Sequence, residues 1–207
     1  MKFGAHVSIA GGINRAPIRA HEFGCECFQI FTRSPRGGNP PELNKDLVDS
    51  FLITCEQYSY EDYYVHTPYY INFASDNNEI RNSSIRIVIE ELKRSEVLNV
   101  KYVMTHLGSS KGTERTKSII RVAEAVSEII DSCSLKTELL LENSAGQGDT
   151  IGEKFEELGD ILVKVNHQEL GICLDTAHTF AAGYDIRDQM SLSRTLEEFN
   201  KSIMQAN

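Results

Sequence analysis

Five side chains of metal-ligating type stand at the ends of hydrophobic, strand-like runs. His66 follows Tyr63-Tyr64-Val65, His106 follows Tyr102-Val103-Met104-Thr105, and Glu142 follows Leu139-Leu140-Leu141. Asp175 follows Gly171-Ile172-Cys173-Leu174, with His178 three residues further on. Imidazole with carboxylate, and no cysteine cluster beside it, is the ligand mix of catalytic zinc, manganese or iron. Five ligands exceed the roughly three protein groups usual for one open catalytic zinc. The pattern therefore predicts more than one metal, with Glu142 or Asp175 bridging, as in two-metal hydrolases. A lone strand-end histidine is more often a structural hydrogen-bonder. Successive strand ends filled by His, His and Glu, then Asp-x-x-His, favour the metal reading.

Strand and helix patterns alternate along the whole chain, and these elements must carry the ligands. Strand-like runs lie near 2–7, 27–31, 63–68, 102–107, 138–143 and 170–176. Helical periodicity falls near 14–23, 43–57, 78–97, 113–133, 152–164 and 191–204. The fourth helix shows the clearest apolar face, with Ile119, Val122, Ala123, Val126, Ile129 and Ile130. The last carries Leu192, Leu196, Phe199 and Ile203. Asp76 with Glu79 reads as a capping box opening the third, and Gly24 as the stop of the first. Alternating βα units imply right-handed crossovers and a parallel sheet. The predicted fold is α/β: a single domain over 1–207, a TIM-type (β/α)8 barrel with about six βα units, lacking the last two. In such a barrel the C-terminal strand ends open onto one face, where active sites are built.

The loops expected on that face are distinctive. Thr32 to Pro41 is basic and stiffened by prolines, Tyr69 and Tyr70 place aromatics after His66, and Glu142 runs into Asn143-Ser144-Ala145-Gly146-Gln147-Gly148. His6 ends the first strand and faces the same mouth, where an outer-shell or substrate contact and simple packing explain it equally well. His21 and His167 read as solvated, and Cys173 as core. Gly11-Gly12 serves a tight turn or a phosphate equally well. Ser144 and Cys173 have no base placed for a nucleophile relay, and no Gly-x-Gly-x-x-Gly follows a strand.

Composition sets outer bounds. With 41% hydrophobic and 25% charged residues the chain is of ordinary globular type. No apolar run approaches the roughly 20 residues of a membrane span, and the N-terminus enters a strand pattern directly, so a cytoplasmic protein is expected. Five cysteines, an odd number without Cys-x-x-Cys, suggest neither disulfides nor a zinc finger. A net charge of −9 argues against a nucleic-acid partner, but only weakly. Carboxylates that hold divalent cations make a site acidic until the metal reverses its sign.

Three stretches resemble endonuclease IV. They are Gly4-Ala5-His6-Val7-Ser8 with Ala10-Gly11-Gly12, Glu142 to Gly148, and Gly171 to Asp185. The resemblance runs the length of the chain. It implies a zinc-dependent barrel enzyme that incises double-stranded DNA 5′ to abasic sites in base excision repair, leaving 3′-hydroxyl and 5′-deoxyribose phosphate ends. It further implies His66 and His106 on a first zinc, Glu142 bridging to a second and taking part in catalysis, Asp175 on the second and His178 on a third. Arg36 would contact DNA and Tyr69 would enter the minor groove beside the flipped sugar. Three zinc ions per complete enzyme are implied, with manganese in part, and a monomer without an obligate protein partner.

The family continues through two further βα units that supply another His, an Asp-x-His pair and a final Glu. Without them the first metal keeps its ligands while the others lose most of theirs, so impaired activity is expected. Two alternatives stand beside this reading. One is a metal-dependent sugar isomerase or epimerase on a similar barrel, which would need a Lys or paired Glu near the metal. The other is an inactive truncated fragment, or a subunit completed by another chain.

Overall fold

The computed structural model describes residues 1–133, 136–167 and 170–204. Six parallel strands pair strictly in chain order: β1 (Gly4–His6), β2 (Cys27–Ile30), β3 (Tyr63–His66), β4 (Tyr102–Thr105), β5 (Glu138–Glu142) and β6 (Gly171–Cys173). Between them run α1 (Arg15–Glu22), α2 (Lys45–Gln57), α3 (Asn78–Val97), α4 (Arg115–Asp131) and α5 (Phe155–Val165). After β6 come α6 (Thr176–Ala181) and α7 (Gln189–Met204). This is the expected order of a (β/α)8 barrel carried through six strands, with β1 and β6 at the two edges.

The pleat and the register together decide which side chains meet. Side chains alternate faces along a strand, and parallel partners share a face. His6 pairs with Gln29, His66 with Met104, and Glu142 with Cys173. Thr105 pairs with Leu141, so His106 and Glu142 stand one step further along the same ladder. The opposite face carries Ile30, Val65, Val103 and Leu141, all fully buried. These pack with the helical stripes Ile85, Val88 and Leu92 of α3 and Val122, Val126 and Ile129 of α4 in one continuous core. Apolar helix-facing positions thus anchor each strand, and alternation turns the ligand-type residues inward.

Local signals differ from expectation at three places. The capping residue of α3 is Asn77, not Asp76: its side-chain oxygen accepts from Glu79 N and Ile80 N. Thr176 to Ala181, where a strand end at 176 and no helix are expected, forms a short helix, α6, with Asp175 as its N-cap. Cys173, expected in the core, is half-buried and lines the mouth, because β6 is an edge strand whose inner face lacks a further neighbour. On α7, Phe199 and Ile203 pack onto the core, with Phe199 edge-on to Phe155 at 5.2 Å, whereas Leu192 and Leu196 remain 38% and 37% exposed.

Gly24 follows the end of α1 at φ +69 and stops that helix as expected. Gly11 and Gly12, at φ +84 and +118, serve a tight turn closed by Gly12 N donating to the Ile9 carbonyl.

Candidate metal centre

Glu142 occupies the centre of the mouth. It ends β5, is only 4% exposed, and three imidazoles converge on its carboxylate. His66 Nε2 lies 2.8 Å from Oε2, while His178 Nδ1 and His106 Nε2 lie 3.2 and 3.6 Å from Oε1. Asp175 Oδ2 stands 3.9 Å from His178 Nδ1. Two groups of donor atoms, each within 4.8 Å, follow: His66, His106 and Glu142, and Glu142, Asp175 and His178. All five sequence candidates therefore meet in one place, with Glu142 common to both groups.

Hydrogen bonds fix the orientation of three of the candidate ligands, His66, Asp175 and His178. His66 Nδ1 donates to the Thr67 carbonyl at 2.6 Å, which turns Nε2 toward Glu142. His178 Nδ1 donates to the Asn143 carbonyl at 2.9 Å, and its backbone N donates to Asp175 Oδ1 at 2.7 Å. Such outer partners set the tautomer and aim of metal-ligating imidazoles. Asn143, fully buried, clamps the strand end to the α6 turn: Oδ1 accepts from Asp175 N at 2.6 Å and Nδ2 donates to the Asp175 carbonyl at 3.2 Å. Sequence reasoning missed this role. Its only signal was the position directly after Glu142.

The electrostatics show a carboxylate held ionised in a buried place. Burial raises the pKa of Glu142, but hydrogen bonds from His106 and His66 outweigh it and bring the pKa down to about 2. Burial lowers that of His66, yet the hydrogen bond and charge of Glu142 leave it raised. Burial, followed by the charges of Glu142 and Asp175, pushes the Cys173 thiol up to about 12, so it stays protonated in the metal-free protein. Ser144 Oγ donates to Thr150 Oγ1 at 3.0 Å and serves its own loop, in keeping with the absence of a nucleophile relay.

Other candidates occupy varied places. His6 lines the same mouth, with Nδ1 2.8 Å from Gln29 Oε1 and its ring against Phe31 at 4.3 Å. Tyr69 stands over the mouth, 59% exposed, its ring stacked toward His106 at 6.1 Å. Arg36 is exposed on the loop leaving β2 and forms no ion pair among the described residues. The other arginine of that loop is internal. Arg33 Nε donates to Glu91 Oε1 at 2.6 Å and Thr32 Oγ1 to Glu91 Oε2 at 2.7 Å, with Glu91 fully buried on α3. Arg94 adds bonds to Thr32 Oγ1 and to its carbonyl. The root of the Arg36 loop is thereby anchored, a network that single-residue reading did not find. His21 is exposed, stacking on Tyr58 at 4.1 Å, and His167 is exposed after α5, at the opposite end of the sheet.

Among the described residues no helix is long and apolar enough to cross a membrane.

Comparison with known proteins narrows the identity. Residues 18–206 match the model of the xylose isomerase-like TIM barrel family. A relative from Halothermothrix orenii, named probable endonuclease 4, is 38% identical over 98% of this chain and 73% of its own length. The crystal structure of endonuclease IV from Thermus thermophilus superposes with a TM-score of 0.86 at 30% identity, covering 98% of this chain and 72% of that one. A D-tagatose 3-epimerase-like protein superposes at 0.73 over 96% of this chain and 72% of that one, but at 18% identity it shares the fold alone. The chain belongs to the xylose isomerase-like TIM barrels and, within them, to the endonuclease IV family.

Proposed function

We propose that this chain is a metal-dependent endodeoxyribonuclease that hydrolyses the phosphodiester 5′ to abasic sites in duplex DNA, leaving 3′-hydroxyl and 5′-deoxyribose phosphate ends. The observation that carries the reading is Glu142, buried and shared by two groups of imidazole and carboxylate donors at the C-terminal strand ends. The donor set fits zinc, with manganese in part. In the metal-free arrangement both nitrogens of His66 face oxygen atoms, which calls for a proton on each, and Nε2 is the nitrogen that would be free to hold a divalent cation beside Glu142. His66, His106 and Glu142 would hold one ion and Glu142, Asp175 and His178 a second, supplying Lewis acidity at the scissile phosphate and an acidified water.

The chain's own residues supply placement. Glu142, pinned by His66 and His106, keeps a negative charge beneath the mouth over the whole physiological range. Asn143 holds Asp175 and His178 against it. Tyr69 offers an exposed ring at the rim, suited to a base-free step whose stacking is already lost. Arg36 makes a backbone contact from the anchored loop after β2. All five cysteines are free, which suits a reducing compartment, and we assign the protein to the cytoplasm. We further propose a monomeric state for the complete enzyme.

The test is a nicking assay with zinc-loaded protein on matched abasic and intact duplexes, with metal content measured on the same samples. Cleavage confined to the 5′ side of the abasic site, lost on chelation and in Glu142→Gln, is expected. Cleavage that survives chelation, or metal content that Glu142→Gln leaves unchanged, overturns the proposal.

A further inference from the structure

A second cavity of about 480 Å³ adjoins the metal centre, within the roughly 300–1,000 Å³ usual for ligand sites. Tyr69, His106 and His178 form the wall it shares with the mouth. The chemistry on the two sides of that wall differs. The mouth contains the carboxylates Glu142 and Asp175. The second cavity has no Asp or Glu among its lining residues, and its cation is Lys111, accompanied by Ser109, Ser144 and Gln147. In a chain of net charge −9, an anion entering this hollow meets the Lys111 ammonium and the Gln147 amide instead of carboxylates, the Ser109 and Ser144 hydroxyls being donated to the Gly148 carbonyl and to Thr150.

Loops from three strand ends hold the cavity in shape. Ser109 N donates to Asn72 Oδ1 at 3.1 Å, joining the loops after β4 and β3. Gly108, at φ +94, passes so close that an added Cβ would lie 2.1 Å from Asn72 Oδ1. Ser109 and Thr150 form an antiparallel bridge, and Ile151 N donates to the Gly108 carbonyl at 2.9 Å, joining the loops after β4 and β5. Arg115 fastens that junction from α4, donating to the Thr150 carbonyl and to Glu157, whose Oε2 also receives Gly152 N. The hollow is pre-formed, so little ordering cost falls on a ligand.

We propose that this cavity is a phosphate subsite for the DNA strand, in which Lys111 contacts a backbone phosphate flanking the one at the metal centre. The inference rests on the nuclease reading above and adds to it a residue outside the metal ligands. Lys111 is exposed and forms no ion pair among the described residues, so its charge is available. Its contribution is to affinity.

The test is fluorescence anisotropy with zinc-loaded protein and a labelled abasic duplex carrying a phosphorothioate at the scissile linkage, titrated across salt concentrations. Lys111→Ala should weaken binding about three- to tenfold and reduce the slope of log affinity against log salt by about 0.9, the value for one lost phosphate contact. Lys111→Arg should keep both, as should Lys164→Ala, which makes the same charge change on α5, outside the cavity. An unchanged melting temperature excludes a folding defect. Wild-type affinity and slope in Lys111→Ala, or an equal loss in Lys164→Ala, overturns the subsite while leaving the nuclease reading standing. A wild-type protein that fails to prefer abasic over intact duplex overturns both.

Discussion

His66 Nε2 lies 2.8 Å from Glu142 Oε2, although the two residues are 76 apart in sequence and belong to strands separated by β4. The imidazole's other nitrogen is taken by the Thr67 carbonyl. The ring is therefore locked from behind and faces the carboxylate from the front, a geometry that serves a proton or a metal ion.

This pair gives the metal-free protein a defined pH profile. Glu142 has a depressed pKa, so its stabilisation is present above its ordinary value of 4.5 and is lost as pH falls toward 2. His66 has a raised pKa, so its stabilisation is present below its ordinary 6.5 and is lost as pH climbs through the raised value. Melting temperatures of chelator-treated protein should carry this contribution in full between those two ordinary values and lose it on both flanks. Glu142→Gln should flatten both flanks, and a parallel profile would show that the pair is energetically silent.

Metal binding should depend on the ligands and on the residue that aims them. A His66→Ala, His106→Ala double variant should lose more than half of the bound metal by elemental analysis. Asn143→Ala touches no ligand atom of Glu142, yet it should lower metal affinity by about 10–100-fold in a chelator competition, the usual cost of removing an outer partner. Wild-type affinity in Asn143→Ala would reduce its clamp to a folding role.

The Arg33–Glu91 pair should be a large term in stability. Glu91→Leu removes the Nε partner of the buried Arg33 and an acceptor of Thr32 but leaves Glu90 2.7 Å from Arg33 Nη2, and should cost about 1.5–3 kcal/mol, a melting shift of several degrees. The double variant Arg33→Met, Glu91→Leu should recover much of that loss, because the penalty comes from the uncompensated charge. A loss in the double variant equal to the sum of the two single losses would contradict this account.

Tyr69 should govern discrimination more than general affinity. Tyr69→Ala is expected to reduce the preference for abasic over intact duplex by roughly tenfold, in line with about 1–3 kcal/mol for an aromatic–base contact. Competition binding with the two duplexes measures this, and an unchanged ratio would mean the ring only packs against His106.

The 207-residue polypeptide should hold one metal tightly at His66, His106 and Glu142 and a second loosely at Glu142, Asp175 and His178, whose two further donors are less buried. It should also nick abasic duplex weakly beside a polypeptide extended to the length of the family relatives. Three metals per chain with equal turnover would refute this expectation. The exposed Leu192 and Leu196 and the edge strands β1 and β6 should show as concentration-dependent association in sedimentation.

The sequence alone determined the order of elements and which residues are the candidate ligands. Continuous apolar runs and period-3.6 apolar patterns are local properties, which is why every strand and all the long helices fell within a few residues of their expected spans. Strand-end placement of His66, His106 and Glu142 was local too, and βα alternation left the parallel sheet as the expected arrangement. Tertiary structure decided what depends on register and on neighbours. Which nitrogen of His66 faces Glu142, how Asn143 holds Asp175, and why Arg33 turns inward while Arg36 stays outside all require contacts between distant strands and helices. Asp175 acquired its helix-capping role because α6 begins one residue later, a boundary set by the hydrogen bond its own side chain makes. Cys173 looked like core from its apolar surroundings, but burial belongs to the sheet, and an edge strand leaves one face open.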